Sequence, residues 1–183
     1  MSTTLDLLTA EEYAKLPASE RPRELVQGQV IEMNPPFPRH GKICLRLGGL
    51  LLNFVESRDL GHMMDNDSGV VTERNPDTVR GADLAYYSFD RLPKGPVPDG
   101  YLPVVPDLVV EVLSSDDRWS DVYAKTAEYL HAGVSVVCIV DPKAESVHAY
   151  YPNQPPRIFG RDDELTFPEL LGDFHVRVAK LFE

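Results

Sequence analysis

Glu111 lies inside an apolar run, Pro106-Asp-Leu-Val-Val-Glu-Val-Leu-Ser114, where an acid is out of place. Leu and Val bounded by Pro on one side and Ser114-Ser-Asp-Asp117 on the other read as a β-strand buried on both faces. An ionised carboxylate there is costly unless it is paired, hydrogen-bonded or bound to a metal. Asp83 is a second acid amid apolar neighbours, in a segment expected to lie beside the Glu111 strand. Side chains opposite one another on paired strands stand about 5 Å apart at Cβ. Asp107 shares a face of the Glu111 strand, but four residues of rise put it roughly 13 Å away, too far to share one ion. Two carboxylates that meet across a strand pair repel unless a cation neutralises them, and oxygen-only ligands suit a hard divalent ion such as Mg²⁺ or Mn²⁺. Such an ion can activate water and clamp a phosphate oxygen. Taken alone, the two acids leave a paired structural role equally open.

The elements that must position these acids follow from periodicity and turn chemistry. Thr9-Ala-Glu-Glu12 is a capping box, with Leu8 and Tyr13 at the staple positions, opening a short helix to about Leu16 before Pro17. Glu24 to Met33 reads as a hairpin turned at Gln27-Gly28, and Asn34 to Pro38 as a loop. From Gly41 to about Arg58, Ile43, Leu47, Leu50, Leu51 and Phe54 recur at helical spacing. Strands are expected at Gly61–Thr72, at Thr78–Ser88 and around Glu111, with a long loop from Phe89 to Tyr101. A helix is expected from about Asp117 to Ala132, with Asp116 and Asp117 as capping candidates and Gly133 as its stop. Val134–Asp141 and Ser146–Tyr151 form a further hairpin, and peripheral strands complete the chain. This order gives an α/β fold, a mixed sheet flanked by helices with hairpins added at both ends.

A chain of 183 residues is long enough for one domain with a real core. A hydrophobic fraction of 43% with 26% charged residues is that of a soluble globular protein. No apolar run approaches a membrane span, and Met1-Ser-Thr-Thr-Leu-Asp6 lacks the features of a signal peptide, so a cytoplasmic location without membrane contact is expected. Cys44 and Cys138 fit reduced core positions in that compartment. The net charge of −11 excludes a general nucleic-acid coat protein but not a nuclease, whose acids gather at a metal. Arg21, Arg23, Arg39, Lys42 and Arg46 form a local basic excess that reads equally as docking groups or as solvated charge. No phosphate-loop spacing is present, and His62, His131, His148 and His175 show no metal-ligand spacing.

The order of an acid on one strand, an acid on the next, then a helix and a strand resembles the PD-(D/E)XK restriction-endonuclease-like superfamily. Within it the sequence is similar to the bacterial Uma-two family of endonucleases. The resemblance rests on Arg23-Glu-Leu-Val-Gln-Gly28, His40-Gly41, Thr78-Val-Arg-Gly-Ala-Asp83, the Glu111 strand, Lys125-Thr-Ala-Glu-Tyr-Leu-His-Ala-Gly133 and Ile139-Val-Asp-Pro142. It covers nearly the whole chain and implies a restriction-endonuclease-like domain over residues 1–183, with its core at about 40–142.

The resemblance further implies metal ligation by Asp83 and Glu111, with the Val112 carbonyl as an additional ligand. The chain departs from the superfamily pattern twice: Ala82 stands where Pro precedes the first acid, and Leu113 replaces the Lys two residues after the second. In the family it resembles, a lysine of the following helix takes that role, and Lys125 matches. Helical spacing puts Lys125 beside Val122 and Tyr129, from where its amine can reach the strand ends. Glu24 matches an early family acid, as third ligand or as support; His40 could bind phosphate, shuttle a proton or cap the helix. The expectation is a Mg²⁺- or Mn²⁺-dependent endonuclease acting on DNA, with a homodimer expected by analogy. The rival is an inactive nuclease-like fold serving as a binding or assembly module.

Overall fold

The computed structural model describes residues 7–183, with residues 66 and 67 described by backbone alone. The N-terminal stretch Met1–Asp6 considered above lies outside the described residues. Thr9 caps α1 (Ala10–Tyr13) through the expected reciprocal box with Glu12, although the helix ends one turn earlier than its pattern indicates. β1 (Arg23–Val26) and β2 (Gln29–Glu32) pair in register through Gln27 and Gly28, both at positive φ. That conformation is what a two-residue hairpin turn requires.

α2 (Pro38–Ser57) begins three residues before the periodic stretch, because Pro38 is tolerated in a first turn where no N–H is needed. His40 therefore sits within the first turn and does not precede the helix. Ile43, Leu47, Leu51 and Val55 form its buried stripe. The next element, β3 (Gly61–Glu73), runs antiparallel to β4 (Thr78–Ser88) along most of its length. At their start the backbones are so close that a Cβ on Gly61 would lie 2.1 Å from the Tyr87 carbonyl oxygen.

β5 (Leu108–Val112) pairs antiparallel with β4 and parallel with β6 (Val136–Asp141). Between them runs α3 (Trp119–Ala132), closed by Gly133 at φ 104°. The capping expectation for Asp116 and Asp117 is corrected here. The N-cap is Arg118, without a side-chain bond, because Asp117 instead accepts from the Ser114 backbone at 2.7 Å. β7 (Ser146–Tyr150) and β8 (Arg157–Phe159) extend the sheet. β9 (Glu164–Thr166) and β10 (His175–Arg177) pair separately, with α4 (Pro168–Leu171) between them and α5 (Ala179–Phe182) after them.

The main sheet runs β2-β1-β4-β5-β6-β7-β8, with β3 beside β4. α2 and the C-terminal elements cover one face, where Leu47, Leu51, Val110, Cys138, Phe167 and Leu181 share a core. On the other face α3 places Val122 and Tyr129 against Val109, Val137 and Ile139. Cover on both sides explains why β5 and β6 read as continuous apolar runs. One edge of β4 carries the functional geometry. β3 takes the opposite edge, so β1 and β5 must share this one: β1 meets it at Val79, β5 at Leu84 to Tyr86. Between those pairings a wedge opens at Arg80 to Asp83.

Among the described residues, no helix is long and apolar enough to cross a membrane.

Candidate functional site

Side chains fill the wedge. Glu24 on β1 is 4% exposed. Its Oε1 accepts from the Gly81 N–H at 3.1 Å and from the Lys125 amine at 3.0 Å; its Oε2 accepts from Arg80 at 2.8 Å. Arg80 also forks onto Glu128 of α3, which accepts from Thr72 as well. Burial alone would raise the Glu24 pKa, but Lys125 and Arg80 outweigh it and hold the carboxyl below its usual range. Both Glu24 oxygens are engaged. It anchors Lys125 and is poorly placed to be a third ligand.

Lys125 reaches inward from α3 to three oxygens: Glu24 Oε1 and Glu111 Oε1 at 3.0 Å each, and the Gly81 carbonyl at 3.4 Å. Burial favours the neutral amine, yet the two carboxylates reverse that effect and raise its pKa. The amine stays protonated. Tyr129, one turn further along α3, donates its hydroxyl to the same Glu111 oxygen at 2.8 Å. Burial, opposed by Lys125 and reinforced by Asp83, pushes the Glu111 carboxyl up to about 7.

The register Leu84 opposite Val110 brings Asp83 and Glu111 to adjoining positions on neighbouring strands. Asp83 Oδ2 accepts from the Val112 N–H at 2.7 Å and lies 3.1 Å from His40 Nε2. That hydrogen bond raises the His40 pKa against the opposing effect of burial, with the Val112 backbone adding to it. His40 Nδ1 in turn faces the Cys44 sulfur at 3.5 Å. Burial pushes the Cys44 thiol well up, and Asp83 and Glu111 add to this, so the thiol rests protonated.

Asp83, Glu111, Val112, His40, Cys44 and Lys125 all line one cleft of about 940 Å³ between α2 and the sheet. Among the described residues, no hydrogen bond reaches Asp83 Oδ1 or Glu111 Oε2. Two unengaged carboxylate oxygens beside an open cleft are the donor set a hard cation takes.

The six residues singled out from the sequence thus converge, although Glu24 lies behind the cleft wall. Sequence reasoning missed Arg80, Glu128 and the Tyr129 hydroxyl. The spacing of Lys125 and Tyr129, four apart on one helix face, places the ring beside the amine but says nothing of the hydroxyl's partner. Asp107 serves elsewhere, pairing with Arg91 at 2.8 Å. Of the basic excess, Arg23, Arg39 and Arg46 donate to the backbone carbonyls of Pro17, Pro142 and Lys180.

The fold is similar to that of a protein from Anabaena variabilis whose crystal structure is described as "a putative nuclease belonging to DUF820", with a TM-score of 0.81. That likeness covers 96% of this chain and 97% of the other at 22% sequence identity. No curated protein matches the sequence. The family Uma2, described as "Putative restriction endonuclease", matches residues 10–179. The match spans nearly the whole chain, and the protein belongs to that family.

Proposed function

We propose that the protein is an endodeoxyribonuclease that hydrolyses phosphodiester bonds with Mg²⁺ or Mn²⁺ held by Asp83 and Glu111. The observation that carries this reading is that Asp83 and Glu111 line one cleft beside the Lys125 ammonium, each with one carboxylate oxygen that makes no hydrogen bond among the described residues. The oxygen-only donor set fits a hard divalent ion, with the Val112 carbonyl as a further candidate ligand. When bound, such an ion polarises a phosphate oxygen and makes a water more acidic.

The remaining roles belong to the chain itself. Lys125 holds a positive charge at the cleft, its three N–H groups directed at Glu24, Glu111 and the Gly81 carbonyl, and through that charge stabilises negative charge developing on the phosphoryl oxygens. Glu24 and Arg80 fix the amine. Tyr129 holds Glu111 through one oxygen and leaves the other without a hydrogen bond among the described residues. His40 and the Val112 N–H do the same for Asp83. DNA as substrate is supported by the family's description and by the phosphate chemistry this donor set suits. In the rival reading, a binding or assembly module, the buried Lys125 has no task beyond structure.

Nicking of supercoiled plasmid in Mn²⁺ tests the proposal. Wild type should nick, and Asp83→Ala and Lys125→Ala should each fall by about 100-fold or more, with circular dichroism verifying their fold. A wild type that binds Mn²⁺ yet cleaves no nucleic acid would overturn the enzyme reading in favour of the module.

A further inference from the structure

The cleft wall carries a second set of ligand-type atoms, different in chemistry from the carboxylate pair. His40 and Cys44 stand four residues apart in α2, so they share one helix face. Asp83 meets them from β4. The Cys44 sulfur lies 3.5 Å from His40 Nδ1, and His40 Nε2 lies 3.1 Å from Asp83 Oδ2. One ligand atom from each of the three residues lies within 4.8 Å of the other two. Only one nitrogen of the imidazole can bind the ion, and a tetrahedral zinc site, with bonds of about 2.0–2.3 Å, sets neighbouring ligand atoms about 3.4–3.6 Å apart, so the three groups have to draw slightly closer around it. The side chains are 13% exposed for His40 and 23% for Asp83, enclosed yet open to the cleft.

We propose that His40, Cys44 and Asp83 form a binding site for a borderline-soft divalent cation, with Zn²⁺ as its occupant. Sulfur and imidazole nitrogen favour Zn²⁺ over Mg²⁺, whose preference is for oxygen and water. Three protein ligands leave the fourth position to the cleft. Binding exchanges the ion for the thiol proton, which leaves through the cleft to solvent, and nothing is oxidised or reduced. Asp83 belongs to both sets of atoms. Zn²⁺ therefore competes with the hard ion, and this consequence, unlike the site itself, rests on the hydrolase reading.

Cobalt serves as a coloured substitute. Titrating the reduced full chain with Co²⁺ should give near-ultraviolet thiolate-to-cobalt absorption and strong visible bands, saturating at a single equivalent. The charge-transfer band should vanish in Cys44→Ala and weaken in His40→Ala. Stoichiometric Zn²⁺ should bleach it; excess Mg²⁺ should not. No band in wild type, a band that persists in Cys44→Ala, or bleaching by Mg²⁺ overturns the site.

A second arm reads Mn²⁺-supported nicking with and without Zn²⁺, each protein against its own zinc-free rate. Wild type should slow by about tenfold or more, and Cys44→Ala should stay near its own rate. Cobalt binding without this inhibition overturns the competition alone. Absence of nicking in every sample counts against the hydrolase reading and leaves the cobalt result to decide the site.

Discussion

Glu111 sits between two demands: burial favours its neutral form, and the Lys125 ammonium favours its ion. Without divalent ions, burial prevails and lifts the carboxyl to about 7, whereas in the unfolded chain it titrates near about 4.3. Between those values the folded chain holds more protons at this position, so stability falls as pH rises through the window. In EDTA, Glu111→Gln should gain on wild type from about pH 4.3 to 7 and then level off. Urea denaturation across that range checks it, and a pH-independent difference overturns the cause assigned to the shift. Tyr129→Phe removes a hydrogen bond to Glu111 and should cost about 1.5–3 kcal/mol at about pH 8.5, where that carboxyl is ionised, read by the same method. The acids themselves were legible because a carboxylate in a Leu-Val strand breaks a local rule. The Tyr129 hydroxyl was not, since a tyrosine on an apolar helix face reads as core until its partner is known.

Arg80 ties β4 to β1 through Glu24 and to α3 through Glu128, at 16% exposure. Removing it takes the cation from Glu128 and one of two from Glu24, which keeps Lys125. Arg80→Met should lower stability by about 3–5 kcal/mol, measured by thermal or urea denaturation. The turn into β3 gives a second element-level test. Gly61→Ala drives a methyl into a backbone oxygen that cannot move aside and should cost roughly 1–3 kcal/mol or more. The elements were largely legible, because their stripes and turns follow local rules. The capping box, the Gln27-Gly28 turn and the Gly133 stop all fall where the sequence puts them. Helix starts were less so. α2 extends through Pro38 ahead of its apolar stripe, and Asp117 satisfies the Ser114 backbone instead of the helix end. The wedge in β4 depends on two strands far apart in the chain sharing one edge, which no local pattern encodes.

For the whole molecule, a ligand that binds only the folded state stabilises it globally. Under the proposed reading, Mn²⁺ at about 100 times its dissociation constant should add about 2.7 kcal/mol, raising the melting temperature of wild type and not of Glu111→Ala. Equal responses in both proteins, or none in either, count against the carboxylate pair. A net charge of −11 sets the molecule against a polyanion, so under the proposed reading attraction to DNA has to be local. Leu113 packs with the apolar core on the α3 side, while Lys125 enters from α3 toward Glu111. The ammonium thus travels with a separate segment, free of the spacing that links two acids along a strand. A string search demanding an acid followed two places later by lysine would discard this sequence. Charge arriving from a helix can be recognised only by where it ends up in space.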